Sequence, residues 1–380
     1  YPKASFSYVV SDEAFWPEDF GQLKLRTAFG ESGRAPGAFD AVRTWNPVGW
    51  GGSPAFRPLN LGNAALGPER TREFEVGFES ALFDNRLDID LTYYNQRTTD
   101  ALFEVSQVPS GGFLGSQLDN VGEIKNTGLE VTVNSTLIEG TEWGLDLGAT
   151  LATNDSEVLD LGGAPPFSIG GSGFIVEGQP VPVVRGSCVT NPEAFADPVI
   201  EQDCNYGPNL PTTIFGINTS VRLPYGVTVN ARGEYQGGHY AYNLNDGEAF
   251  ARGIRWPNCF NVLPSIDAGD LSDVNAIERA RCIPTNADRD FAIYPMDFFK
   301  VREISLTAPV PFEVPGARSA IVTFAARNAI RWQKAKYNFA DPETSGGFNR
   351  GDTGMNQATQ TVGGSIPTPA SFTMSFRLSF

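Results

Sequence analysis

The chain has 380 residues and carries 44 acidic against 28 basic side chains, a formal net charge of -16. That sign excludes the basic face a nucleic-acid partner needs, and no apolar run approaches the ~18 residues of a membrane-crossing helix. With 41 Gly, 27 Pro and 27 Phe the composition suits strands and loops rather than helices, and a transmembrane β-barrel escapes the helix test because only alternate residues face lipid.

Eleven stretches read as strands: residues 1–10, 21–30, 71–83, 86–97, 126–138, 142–153, 212–223, 225–236, 298–309, 318–329 and 369–380. The first, YPKASFSYVV, opens in mid-strand without a signal peptide, so the chain is expected to be a fragment or a processed product. In the third, Phe74, Val76, Phe78 and Leu82 interleave with Glu73, Glu75 and Glu79. In the fourth, Leu87, Ile89, Leu91 and Tyr93 interleave with Asp88, Asp90 and Thr92. Leu129, Val131, Val133 and Leu137 alternate with polar residues in the fifth, as do Trp143, Leu145, Leu147 and Leu151 in the sixth. The broken alternation of FFKVREISL in the ninth predicts a bulge. The last strand alternates cleanly from Phe372 to a terminal Phe380.

Period two over such lengths gives each strand one apolar and one polar face. Soluble strands usually have about five or six residues, whereas a tilted strand needs about 9–11 to cross a bilayer. The links supply a second argument. Short ones at 11–20, Asp84-Asn85, Glu139–Thr141, Pro224-Tyr225-Gly226 and PVPFEVPGA alternate with long ones at 31–70, 98–125, 154–211, 237–297 and 330–368. Up-and-down outer-membrane barrels alternate in this way, with tight turns inside and long loops outside. The fold class is therefore all-β: an antiparallel up-and-down transmembrane β-barrel. Eleven is odd and an open sheet leaves edges that lipid does not tolerate. Strands are thus expected to be missing upstream, these eleven being half of a barrel of about 22.

The segment ALGPERTREFEVGFESALFDNRLDIDLTYYNQRTTDAL closely resembles the C-terminal barrel of SusC/RagA-type TonB-dependent receptors. QLDNVGEIKNTGLEVTVN, FFKVREISLTAPVP, ARNAIRWQKAKYNFADPE, YPKASFSYVVSDEAF and LKLRTAFGESG match further segments, leaving out the long loops 154–211 and 237–297. The resemblance implies an outer-membrane importer with an N-terminal plug inside its barrel, powered by TonB, ExbB and ExbD. It implies a SusD-like surface lipoprotein as lid and oligosaccharides or peptides as cargo. The plug and TonB-contacting segment precede the barrel in that family, so this chain alone is not expected to transport.

The site candidates follow. Glu73, Glu75, Glu79, Asp88, Asp90, Glu130 and Asp146 line the wet side, available to a plug or a sugar but above all the ordinary lining of a wet interior. No glycosidase pair is readable among them. Trp45, Trp50, Phe56, Trp256, Phe260 and Trp332 read as loop aromatics for ligand or lid contact, or for plain loop packing. Tyr240, with Tyr235 and Tyr242, is a girdle residue or a stacking platform. Cys188–Cys204 and Cys259–Cys282 are the expected disulfides, each within one loop, with free thiols or a metal site as alternatives. There is no C-x-x-C and only one histidine, His239, so zinc is not expected. His239 reads as a loop residue at the membrane-water rim. A catalytic base is the alternative, which neither a G-x-S-x-G motif nor a partner Ser or Cys supports. The acidic stretch Asn286–Asp290 is a candidate calcium loop, set against the missing EF-hand spacing and glycine. Neither enzyme activity nor a cofactor is expected. Phe380 and its strand resemble the signal read by the barrel-assembly machinery, which acts by strand addition. Outer-membrane lipid would contact the apolar faces. The alternative is a soluble extracellular glycan-binding β-protein, which accounts for the charge and the aromatics but not for the strand lengths or the link pattern.

Overall fold

A computed structural model of the chain describes residues 1–113, 115–283, 289–335, 341–343, 361–362 and 368–380. Eleven strands form a continuous antiparallel meander in which each pairs with its predecessor. They are β1 (Lys3–Val9), β2 (Gly21–Arg34), β3 (Glu69–Leu82), β4 (Leu87–Thr99), β5 (Glu123–Glu139), β6 (Gly144–Thr153), β7 (Thr213–Leu223), β8 (Val227–Gly237), β9 (Phe298–Pro309), β10 (Ser319–Gln333) and β11 (Ser371–Ser379). β3 has 14 residues, which at the ~45° tilt of membrane barrels rises about 30 Å.

Register carries the two-faced pattern from strand to strand. Val76 lies opposite Tyr93, and Tyr93 opposite Leu129. Phe78, Leu91 and Val131 form the next row. Leu151, Phe215 and Tyr235 continue the same face further along. Among the described residues no second layer covers these side chains: Phe29, Phe74, Val76, Tyr93, Ile304 and Phe324 are each 40–47% exposed. A soluble sheet would bury that face. The buried apolar residues lie in the long links instead. Val121, Val158, Leu161, Phe167 and Ile175 form one cluster, and Ala241, Phe250, Cys259, Ala292, Tyr294 and Met296 form another.

Three features depart from simple alternation. Pairing of β5 with β6 skips Leu137, so Ile138 rather than Leu137 faces Leu145. Pairing of β9 with both neighbours jumps from Val301 to Glu303, which puts a bulge at Arg302, in the stretch where alternation fails. The sheet also has twelve strands rather than eleven, because Asp155–Asp160 pairs with β5. β5 has 17 residues and β6 only ten. The chain leaving β6 therefore continues past Asn154 along the edge of β5 that β6 leaves uncovered, opposite the edge paired with β4.

At the short-link end, Phe83, Asp84 and Asn85 take left-handed φ values of 55°, 57° and 62°. Asp and Asn tolerate that region better than most residues, which explains the turn there. Trp16, Phe20 and Phe83 gather at this end, with ring centroids 6.3 and 6.0 Å apart along the series.

At the opposite end the first four long links, expected as loops, are folded. Thr44–Trp50 and Ser53–Asn60 form a hairpin, as do Leu102–Ser106 and Ser116–Asn120. Residues 167–208 hold a four-stranded sheet. Helices α1 (Leu244–Ala251), α2 (Leu263–Ala268) and α3 (Ala276–Cys282) follow β8. Tyr240–Asn243 pairs antiparallel with Ile293–Pro295 and parallel with Thr361–Val362. Among the described residues β1 and β11 each pair on one side only, so the sheet is open rather than a closed barrel.

Candidate functional site: the polar face and its long-link mouth

The polar face is charged and partly self-compensated. Arg26 on β2 donates to Glu79 (2.8 Å), Asp90 (2.6 Å) and the Thr92 hydroxyl, bridging β3 and β4. Lys24 reaches Glu79 at 3.4 Å. Gln96 donates to Glu73, and Thr136 to Asp146 at 2.9 Å. Glu75 and Glu130 share this face with Glu73, since residues opposite or two apart point the same way. Asp88, Asn134, Asp146, Asn218, Arg232 and Glu303 line a concavity of about 340 Å³ nearer the short-link end. Tyr94 lies across Gly128: a Cβ there would meet its hydroxyl at 2.4 Å, so only glycine lets the ring lie flat. The Tyr94 hydroxyl donates to Asn154 at 2.9 Å.

Near the mouth a second cluster joins three strands and the link after β10. Lys300 on β9 donates to Asp341 at 2.6 Å and also to Glu343. The bulged Arg302 grips Glu343 with both terminal nitrogens and reaches Glu234 on β8 at 2.9 Å. Arg331 on β10 lies 3.5 Å from Asp341. Lys300 and Asp341 are 4% and 2% exposed, which demands pairing. Burial of Glu343 works against its charge, but hydrogen bonds from Arg302 and Lys300 outweigh it and hold its carboxyl below the usual carboxylate range. Residues 341–343 sit in a quoted motif, yet nothing local in the sequence pointed to this cluster. The one available signal was Lys-x-Arg on a strand whose alternation fails.

The sequence-predicted residues are scattered. Trp45 and Trp50 are 52% and 81% exposed on the first hairpin. The Trp45 face of that hairpin, where Trp45 opposes Pro58 and Pro47 opposes Phe56, is bare apolar surface. Trp256 is turned inward instead: its indole N–H donates to the buried Asp246 at 2.7 Å. Trp332 does not lie in a loop. It belongs to β10, opposite Phe299, which opposes Tyr235, so the three form an aromatic row on the apolar face near the mouth. Pairing with β9 extends β10 beyond the sequence-predicted end and draws Trp332 into it. Tyr240 is half-buried against Tyr206, ring centroids 6.1 Å apart. Phe380 directly follows β11 and is 78% exposed.

Cys188 is bonded to Cys204, and Cys259 to Cys282, with Cα separations of 5.9 and 5.6 Å. Glu201 lies beside the first pair, but sulfurs joined to each other offer no thiolate to a metal. The two stapled links dock on one another. Arg279 on α3 pairs with Asp197 at 3.0 Å, and Asp290 accepts the Ser187 backbone N–H at 2.9 Å. Most of the Asn286–Asp290 stretch, residues 286–288, lies outside the described residues. His239 is not at a rim. It is 1% exposed, and its Nδ1 has no hydrogen-bond partner among the described residues. Burial pulls its pKa down to about 4 against the opposing pull of the Asp297 carboxylate.

Comparison with known proteins agrees with this architecture. A family model described as "TonB dependent receptor-like, beta-barrel" matches residues 1–235. TonB-dependent receptor P26 of Formosa agariphila is 26% identical over 439 residues of alignment, covering 100% of this chain and 42% of that protein. TonB-dependent receptor P39 of the same organism is 29% identical over 183 residues, covering 47% of this chain and 17% of that protein. Among solved structures, the RagAB peptide importer in its closed-closed state superposes with a TM-score of 0.76 at 16% identity, covering 100% of this chain and 43% of that one. That likeness concerns the fold. The chain spans less than half the length of the relatives that it matches. With a two-faced sheet of bilayer height and a family model covering more than half its residues, the chain belongs to the TonB-dependent receptor-like β-barrel family of the bacterial outer membrane.

Proposed function

We propose that this chain is the C-terminal portion of the barrel of a TonB-dependent active transporter that imports oligosaccharides or peptides, working with a SusD-like lipoprotein on the cell surface. The observation that carries the reading is the eleven-strand meander with a bare apolar face, a charged opposite face and, among the described residues, two unpaired edges. Hydrocarbon does not tolerate such edges, so further strands must close the cylinder. A barrel of about 22 strands, wide enough to need a plug, accommodates a wall of this size as one half. The polar face would surround that plug, and the folded long links would meet the lipoprotein. TonB, ExbB and ExbD would act through the N-terminal part. The exposed Phe380 and the free edge of β11 suit strand addition by the barrel-assembly machinery.

The test is uptake by cells expressing the full-length receptor with its neighbouring lipoprotein. Accumulation of labelled oligosaccharide or peptide should require both the receptor and TonB. Uptake that persists without TonB, or a receptor that stays monodisperse without detergent, would overturn the proposal. The soluble glycan-binding alternative has no layer to cover the apolar face and is not supported.

A further inference from the structure

The bulge in β9 has an electrostatic outcome. Arg302 lies two residues past Lys300 and so shares its polar face, and the bulge that both pairings skip puts the adjacent Glu303 on that face as well. Arg331 lies directly opposite Lys300 on β10. Like charges at opposed positions repel, so the wall gathers three cations in one spot. Among the described residues of the neighbouring strands, only Glu234 pairs with any of them. The remaining compensation comes from Asp341 and Glu343, two carboxylates that flank one proline in the link after β10. The Glu343 backbone N–H donates to the Asp341 carboxylate at 3.0 Å, a tight turn that presents both carboxylates to the wall together.

We infer that Lys300, Arg302 and Arg331 form a binding site for an acidic peptide segment, and that the chain's own Asp341-Pro342-Glu343 occupies it as a self-ligand. The occupant defines the ligand class: a peptide with carboxylates two residues apart, one buried against Lys300 and one held bidentate by Arg302. An incoming segment of that pattern competes with the latch and releases it from the wall. The site is read from contacts on this chain; only the step of calling such a segment cargo rests on the transport proposal above.

The experiment uses the full-length receptor in detergent and a fluorescein-labelled, capped Asp-Pro-Glu peptide, read by anisotropy. The Asp341→Asn/Glu343→Gln variant empties the site of its self-ligand charge and is expected to bind the peptide at least about tenfold more tightly than the wild type. Adding Lys300→Met to that variant should abolish binding, and the Asn-Pro-Gln peptide should not bind to any form. A folded double variant that binds no better than wild type, or whose binding survives Lys300→Met, overturns the inference. If the double variant fails to fold, hydrogen exchange on the wild type decides. Millimolar Asp-Pro-Glu should speed exchange at the Glu343 amide, and unchanged exchange overturns the inference. TonB plays no part in this assay, so failure here leaves the transport proposal standing, and failure of uptake leaves this site standing.

Discussion

Replacing Leu91 with arginine tests the assignment of faces. Leu91 sits on β4 between Phe78 and Val131, at the centre of the apolar belt that runs on β3 from Phe74 to Leu82. An arginine at the bilayer midplane of a barrel costs about 2–4 kcal/mol, against about 0–1 kcal/mol near the interfaces. That corresponds to a loss of roughly 30- to 1000-fold in the folding equilibrium. Asn95→Arg, on the same face but two outward positions nearer the mouth, should cost less than about 1 kcal/mol. The neighbouring Asp90 faces the other way and pairs with Arg26 at 2.6 Å, both side chains being more than a third exposed. Arg26 keeps Glu79 when Asp90 becomes Asn, so Asp90→Asn should cost less than about 1 kcal/mol. The assay is urea titration of full-length receptor folding into lipid vesicles, followed by heat-modifiable mobility on gels. Equal losses for Leu91→Arg and Asp90→Asn would refute the assigned phase, and with it the reading of the bare face as lipid-facing.

Three further predictions concern the mouth. Asp341→Ala removes one of the two carboxylates that hold the buried Lys300, Glu343 remaining, and should lower stability by about 2 kcal/mol in urea titration; no measurable change would show that Lys300 is solvated. His239 has a folded pKa of about 4, below its ordinary value of 6.5. Its neutral form therefore stabilises the fold fully above about pH 6.5, and that contribution falls away as pH drops towards 4. Exchange protection around residues 238–241, corrected for the base-catalysed intrinsic rate, should fall between pH 7 and 5 in the wild type but not in His239→Phe, and identical corrected pH profiles would refute the assignment. Reducing Cys188–Cys204 and Cys259–Cys282, each expected to contribute roughly 3 kcal/mol in the chain-entropy model, should open residues 167–208 and 244–282 to protease. The barrel strands should stay resistant, and unaltered loop cleavage would show that docking between the links suffices.

The meander was legible residue by residue because the property that specifies it is local. A strand in lipid must keep its apolar residues on one side, so Phe74-Val76-Phe78 and Ile89-Leu91-Tyr93 announce both a strand and its phase. The Asp84-Asn85 turn did the same for a short link, through residue types that tolerate left-handed φ. Where the pattern failed, as in FFKVREISL, the failure itself marked the bulge. The folded long links were not legible. Their small cores combine residues far apart in sequence, such as Val121 with Ile175 and Ala241 with Met296, without a sustained period.

His239 and Trp332 exchanged expectations for the same reason. Whether a histidine after β8 meets water or a packed interior depends on the 57 residues that return to Asp297. Whether Trp332 belongs to a loop depends on how far β9 pairs with β10. The charge cluster of Glu234, Lys300, Arg302, Arg331, Asp341 and Glu343 is the clearest case. Each residue alone reads as an ordinary polar lining, and only strand register, one bulge and a returning link bring six charges within bonding reach. Alternation is imposed by lipid on every strand separately and so is written along the chain, whereas the mouth is assembled by long-range contacts that no local period encodes.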